Sequence, residues 1–145
     1  MPAWVRAGFE EYAQRMPRDA RIELVEVRPE ARRAGGAAGR ALEAECRRIT
    51  AALPKDSFRV VLDERGESLT TRALAARIGA WRERGRDVAF IIGGADGMAA
   101  AFKEEAGLLW SLSALTLPHQ LVRVVLAEQL YRAVSILAGH PYHRQ

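Results

Sequence analysis

All three histidines of this 145-residue chain, His119, His140 and His143, stand in its C-terminal stretch beside Arg123, Arg132, Arg144, Tyr131 and Tyr142. Imidazole takes up and returns a proton near neutral pH, guanidinium clamps phosphate or a developing anion, and a phenol stacks or hydrogen-bonds. These residue types suit an anionic or nucleobase ligand. Zinc does not follow, because no cysteine or carboxylate stands beside the histidines at ligand spacing, and no metal is expected. Gly139-His-Pro-Tyr-His143 carries more shape than a frayed end, although a solvated polar tail is the competing reading. His119 is expected at a helix start, where backbone N–H groups disfavour its protonation and attract anions.

A second cluster is Gly93-Gly94-Ala95-Asp96-Gly97. It lacks the G-x-G-x-x-G spacing of a dinucleotide fingerprint. Paired glycines after a buried strand mark close approach of a backbone or a ligand, or simply a tight turn feeding a helix.

The elements that must position these residues alternate along the chain. Helices are expected over Pro2–Arg15, Arg40–Leu53, from Ser68 or Thr70 to Arg84, over Ala99–Gly107 and over Pro118–Leu137. Strands are expected at Ile22–Val27, Phe58–Leu62, Asp87–Ile92 and Trp110–Leu115. Asp63–Glu67 reads as a loop, and the basic, Gly-rich segment 28–39 as a mobile surface loop. Such alternation means one α/β domain with a mostly parallel sheet, whose ligands bind outside the carboxyl ends of the strands. Apolar residues from Leu121 to Leu137 cover more than one face of the last helix. A covering surface is therefore needed on two sides, from within the chain or from a second subunit.

Composition narrows the class. An apolar fraction of 49% with 28% charged residues is globular and excludes disordered, collagen-like or coiled-coil chains. No apolar run reaches the roughly 18 residues of a membrane span. Arg6, Glu10 and Glu11 interrupt any signal-peptide core, and Cys46 has no disulfide partner. A soluble, cytoplasmic protein is expected. The net charge of +4 permits a polyanionic partner without demanding one. Lys55 and Lys103 are the only lysines, so arginine carries the rest of the basic charge.

Ile91-Ile-Gly-Gly-Ala-Asp-Gly97, Trp110-Ser-Leu-Ser-Ala-Leu-Thr-Leu-Pro-His119, Leu121-Val-Arg-Val-Val-Leu-Ala-Glu-Gln-Leu-Tyr-Arg-Ala133 and His140-Pro-Tyr-His-Arg144 closely resemble the RlmH family. These are bacterial SPOUT-class methyltransferases that methylate N3 of a pseudouridine in 23S ribosomal RNA, using S-adenosylmethionine. The resemblance runs from Pro2-Ala-Trp-Val5 to Arg144. It implies a single SPOUT domain over residues 1–145, a C-terminal trefoil knot, a homodimer and action on the assembled ribosome. Matched positions imply that Leu62, Gly93, Leu112, Ser113, Ala114, Leu115, Thr116 and Leu117 line the cofactor pocket. His119, Tyr142, His143 and Arg144 are the catalytic candidates. Among them Arg144 suits phosphate or base binding, Tyr142 stacking or hydrogen bonding, and His119 anchoring or proton transfer.

The family also implies a short strand ahead of the opening helix. Here Met1 directly precedes Pro2, so that strand is expected to be missing, through a misassigned start or a truncation, leaving part of the sheet uncovered. Two other readings stay open: a non-catalytic RNA- or ribosome-binding module, and a flavodoxin-like nucleotide-binding domain. Neither predicts binding of S-adenosylmethionine.

Overall fold

Strict alternation along Phe58-Arg-Val-Val-Leu62 sends Phe58, Val60 and Leu62 to one side of a sheet and Arg59 and Val61 to the other. A computed structural model describes residues 1–28, 38–94 and 97–144. Its elements are α1 (Ala3–Ala13), α2 (Ala38–Ala52), β1 (Phe58–Ser68), α3 (Thr71–Glu83), β2 (Val88–Ile92), α4 (Ala100–Glu104), β3 (Leu108–Ser111) and α5 (His119–Leu137), with 3-10 turns at Arg18–Ala20 and Pro141–Arg144. β1 lies between β2 and β3, parallel to both. Parallel pairing needs crossovers, which α3 and α4 supply. The expected α/β class with a parallel sheet holds.

Each face of the sheet has its own core. On one, Val60, Leu108 and Trp110 meet Leu74, Ala75 and Trp81 of α3 and Leu126, Leu130 and Ala133 of α5. A chain of rings runs through it, from Phe58 to Trp81 at 5.1 Å, on to Phe90 at 6.2 Å and to Trp110 at 6.1 Å. On the other face, Val61 and Ile91 meet Cys46 of α2, Met98, and Phe102 of α4. Both faces are covered, as a parallel sheet requires. α5 itself is covered on a second side by α1, where a side chain at Gly8 would stand 3.0 Å from Val124. α1 thus supplies the second covering surface of α5, while Leu121 and Leu137 stay exposed.

Three sequence expectations change. Residues 22–27 half-bury Ile22, Leu24 and Val27, which breaks a strand's alternation after Leu24, and among the described residues they join no ladder. Alternation marks a half-covered extended segment; only hydrogen-bond partners make it a strand. β3 is displaced toward the N-terminus and ends at Ser111, so Leu112–Leu115 is not strand. Asp63–Glu67 is not a free loop, because β1 leaves register after Leu62 and rejoins β3, pairing Glu67 with Trp110 and Ser68 with Ser111. For the C-terminal tail the shaped reading holds over the solvated one, since Pro141–Arg144 forms a turn folded back against α5. Most of the basic segment 28–39, together with Ala95 and Asp96, lies outside the described residues.

Candidate functional site

Leu62, Ile92 and Trp110 are register partners, so they form one row on one face at the carboxyl end of the sheet. This is where an open α/β sheet leaves room for a ligand. Gly93 follows that row directly. A Cβ there would lie 3.0 Å from Met98 Sδ and 3.1 Å from the Gly97 carbonyl, so glycine is needed for the turn to close on itself. Gly94 and Gly97 are joined in an isolated bridge, with the Gly97 N–H donating to the Gly94 carbonyl at 3.0 Å.

Beyond Ser111 the chain turns through serine hydroxyls. Ser111 Oγ donates to the Ser113 carbonyl at 2.9 Å, and Ser113 Oγ accepts the Leu115 N–H at 2.9 Å. Such local bonds compete with a ladder and end the strand. Pro118 then disfavours helix at Leu117 and starts α5 at His119. Residues 112–117 make no backbone–backbone hydrogen bond among the described residues. Apart from the Ser113 carbonyl and the Leu115 N–H, which serine hydroxyls take, their amides and carbonyls are available to a ligand, while Leu62 and Leu112 are half-buried beside them. Ala114, Leu115 and Thr116 are exposed, so this is an open face of the single chain. The Trp110 indole N–H, in the adjoining row, is buried without a partner among the described residues. Free backbone donors and acceptors beside an apolar wall suit an adenine-bearing cofactor.

Two buttresses hold the neighbouring part of β1. Asp63 accepts the Arg65 N–H at 2.8 Å and pairs with Lys103 of α4 at 2.6 Å. The Lys103 hydrogen bond, then that of the Arg65 amide, holds the Asp63 carboxyl below its usual range. Gly66 passes so close to β3 that a Cβ would lie 2.6 Å from Leu109 C and Trp110 N. Any side chain there would push β1 off β3.

The second region is the tail. At the end of α5, His140 N–H donates to Ser135 O at 2.9 Å and Gly139 N–H to Ile136 O at 3.1 Å, with Gly139 at φ +71°. This is a Schellman reversal, and it returns the chain along α5. The Tyr142 ring then meets Tyr131 at 4.6 Å and lies under the Arg132 guanidinium at 4.8 Å. Its hydroxyl donates to Glu128 at 3.3 Å. Glu128 also accepts from Arg132 Nε at 2.7 Å and from Gln129 at 2.7 Å, and Gln129 accepts from Thr71 of α3 at 2.7 Å. Burial, then the Glu128 charge, pushes the Tyr142 hydroxyl above its usual pKa, and the Glu128 hydrogen bond raises that of Arg132. Both therefore stay protonated at neutral pH, as hydrogen-bond donors.

A cleft of about 380 Å³ opens beside this network, lined by Thr71, Arg72, Gln129, Arg132, Ile136 and His143. It includes none of the expected cofactor positions. Of the catalytic candidates, Tyr142 and His143 are thus brought together on the C-terminal half of α5. His119 is not among them: ten residues before Gln129, it lies roughly 15 Å away along the helix axis, beside the 112–117 segment. The Arg144 side chain lies outside what is described. Glu128, Gln129 and Thr71 were missed by the sequence reading, since a carboxylate four residues before an arginine on a helix reads as a surface ion pair. Among the described residues no group of three or more His, Cys, Asp or Glu could hold a metal ion, and no helix is long and apolar enough to cross a membrane.

Residues 1–143 match the family model described as predicted SPOUT methyltransferase. The chain is 58% identical over 144 residues to proteins of Burkholderia mallei (strain SAVP1) and Burkholderia pseudomallei (strain K96243), each called ribosomal RNA large subunit methyltransferase H. The matches cover 99% of this chain and 92% of each relative.

Proposed function

The chain belongs to the predicted SPOUT methyltransferase family, and from that premise we propose that it methylates N3 of a pseudouridine in 23S ribosomal RNA on the assembled ribosome. The observation that carries this reading is its 58% identity, over nearly all of its length, to proteins named for methyl transfer to large-subunit ribosomal RNA. A flavodoxin-like nucleotide domain and a non-catalytic module fall away with the family assignment. The whole chain, residues 1–145, acts as one SPOUT domain with the family's trefoil knot, in the cytoplasm where ribosomes are.

Methyltransferases of this family use S-adenosylmethionine, which supplies a methyl group already activated by its sulfonium. Leu62, Gly93 and residues 112–117 are the groups that would hold it, by backbone hydrogen bonds against an apolar wall. What remains for the chain is to place the base nitrogen in line with the methyl, where orientation provides much of the acceleration. The imide N3–H is weakly acidic, so a proton acceptor or an anion-stabilising donor lowers the barrier further. Tyr142, His143 and Arg144 at the tail and His119 at the start of α5 are the side chains for substrate.

A homodimer belongs to the same proposal. It is supported by the apolar side chains left exposed on α1, α5 and the open cofactor face: Trp4 at 55%, Leu121 at 36% and Leu115 at 72%. A second copy over that face would enclose the cofactor. The protein should sediment as a dimer at micromolar concentration, and a monomer with full activity would overturn this part.

Calorimetry with S-adenosylmethionine, followed by methyl transfer to ribosomes that lack the modification, tests the whole. Saturable binding and one methyl on N3 of a pseudouridine are expected. No cofactor binding, or methylation of another atom, would defeat the reading.

A further inference from the structure

The cleft beside α3, α5 and the tail has no carboxylate among its six lining residues. Its walls are set before a ligand arrives. Thr71 bonds Gln129 at 2.7 Å, which ties α3 to α5, and Glu128 holds Arg132 at 2.6 Å. Arg132 thus brings a cation whose charge is already partly met.

Arg72 differs from the other cations of its helix. Arg77 and Arg82 on α3 each pair with a carboxylate, Glu67 and Asp19. Arg72 is exposed, the first turn of α3 holds no acidic residue, and among the described residues its guanidinium has no ion pair or hydrogen bond. An anion in the cleft would supply the missing partner. Roughly 15 Å separates the cleft from the cofactor segment at the start of α5. That is well beyond the screening length of about 8 Å at physiological salt, so the Arg72 charge acts on what sits in the cleft and not on the methyl group.

We propose that this cleft seats a backbone phosphate of the ribosomal RNA strand flanking the methylated base, clamped by Arg72 with Arg132 as the second cation. The inference rests on the ribosomal RNA methyltransferase reading above. A planar guanidinium offers two parallel N–H donors to two phosphate oxygens. A span of roughly 15 Å corresponds to about four nucleotides stacked at about 3.4 Å each. A phosphate held at that remove fixes the register of the strand and carries no sequence information itself.

Large ribosomal subunits lacking the modification are the probe. Arg72→Ala should weaken their binding several-fold and reduce the steepness of log affinity against log salt by about 0.7 to 0.9, with the melting temperature kept. Arg72→Lys should keep the steepness and recover part of the affinity. Arg84→Ala removes the same charge from the other end of α3, roughly 18 Å away, and should match the parent. An unchanged salt dependence in Arg72→Ala, or an equal fall in Arg84→Ala, would overturn the clamp. Because Cys46 is buried, a photo-crosslinker can be placed selectively on Arg72→Cys. It should attach to ribosomal RNA within several nucleotides of the methylated pseudouridine, and attachment only to ribosomal protein would overturn the proposal. A parent that transfers no methyl to these subunits would instead bring down the functional reading itself.

Discussion

Residues 112–117 enter α5 and residues 138–144 leave it, and both are irregular, yet they are held in opposite ways. The entering segment is shaped by two serine hydroxyls, which take the Ser113 carbonyl and the Leu115 N–H and leave its other backbone amides and carbonyls unspent. The leaving segment spends its backbone on a Schellman reversal and its side chains on Glu128, Tyr131 and Arg132. A site made of backbone recognises a ligand by shape and is tolerant of side-chain identity. A site made of side chains depends on each of them. Cofactor binding should therefore reside in the first region and substrate chemistry in the second.

Removing residues 140–145 tests that division most severely. Methyl transfer should fall by roughly 10²- to 10³-fold for each oriented donor lost, while calorimetry finds cofactor affinity nearly unchanged. Equal loss of both would dissolve the distinction between the two regions. Gly93→Val strikes the opposite region. Overpacking of its Cβ against Gly97 and Met98 should cost about 1–3 kcal/mol of stability, lowering the melting temperature while the protein stays folded, and the displaced turn should weaken S-adenosylmethionine binding. Unchanged affinity in the folded variant would take Gly93 out of the site.

Glu128→Ala sharpens the comparison from inside the tail. It removes the Glu128 carboxylate that accepts from Arg132 and from the Tyr142 hydroxyl, a cost of about 1–3 kcal/mol for the buried hydroxyl that releases the tail from α5. Faster proteolysis after Gly139 should accompany slower methylation, with Glu128→Gln between parent and alanine. A tail as protected as the parent's would show that Glu128 does not hold it. Asp63→Asn should have the smallest effect. The Asp63 carboxyl is held below its ordinary 3.8 in the folded protein. Its contribution is thus complete at neutral pH and is lost as pH falls from that ordinary value through the lowered one. Urea midpoints of parent and Asp63→Asn should differ at pH 7 and converge in acid; a gap that persists in acid would deny the Lys103 pair a role.

Legibility along the chain followed how local each signal was. Thr70 caps α3 by accepting the Ala73 N–H at 3.1 Å, and Gly85 beyond its end has φ +69°. Both were readable from residue type, because a cap needs only its own turn. Phe58–Leu62 and Val88–Ile92 were equally plain as apolar runs. Residues 22–27 misled because β-forming residues were present and, among the described residues, a ladder partner was not. Trp110–Leu115 misled because its β-formers sit among serines whose hydroxyls win the backbone. Glu128 was unreadable as part of a site, since its meaning depends on a phenol fourteen residues on that only the chain reversal at Gly139 brings back.

By itself the sequence determined the class of the fold, the position of its helices and the family to which the chain belongs. These follow from period, capping chemistry and residue type, all of which act over a few bonds. The tertiary structure alone decided that β1 crosses back onto β3 at Gly66, that α1 covers the second face of α5, and that the tail lies on Glu128 through the Tyr142 hydroxyl. Each of these depends on groups distant in the chain, or on one reversal that aims a side chain, and no local propensity encodes which of them will meet.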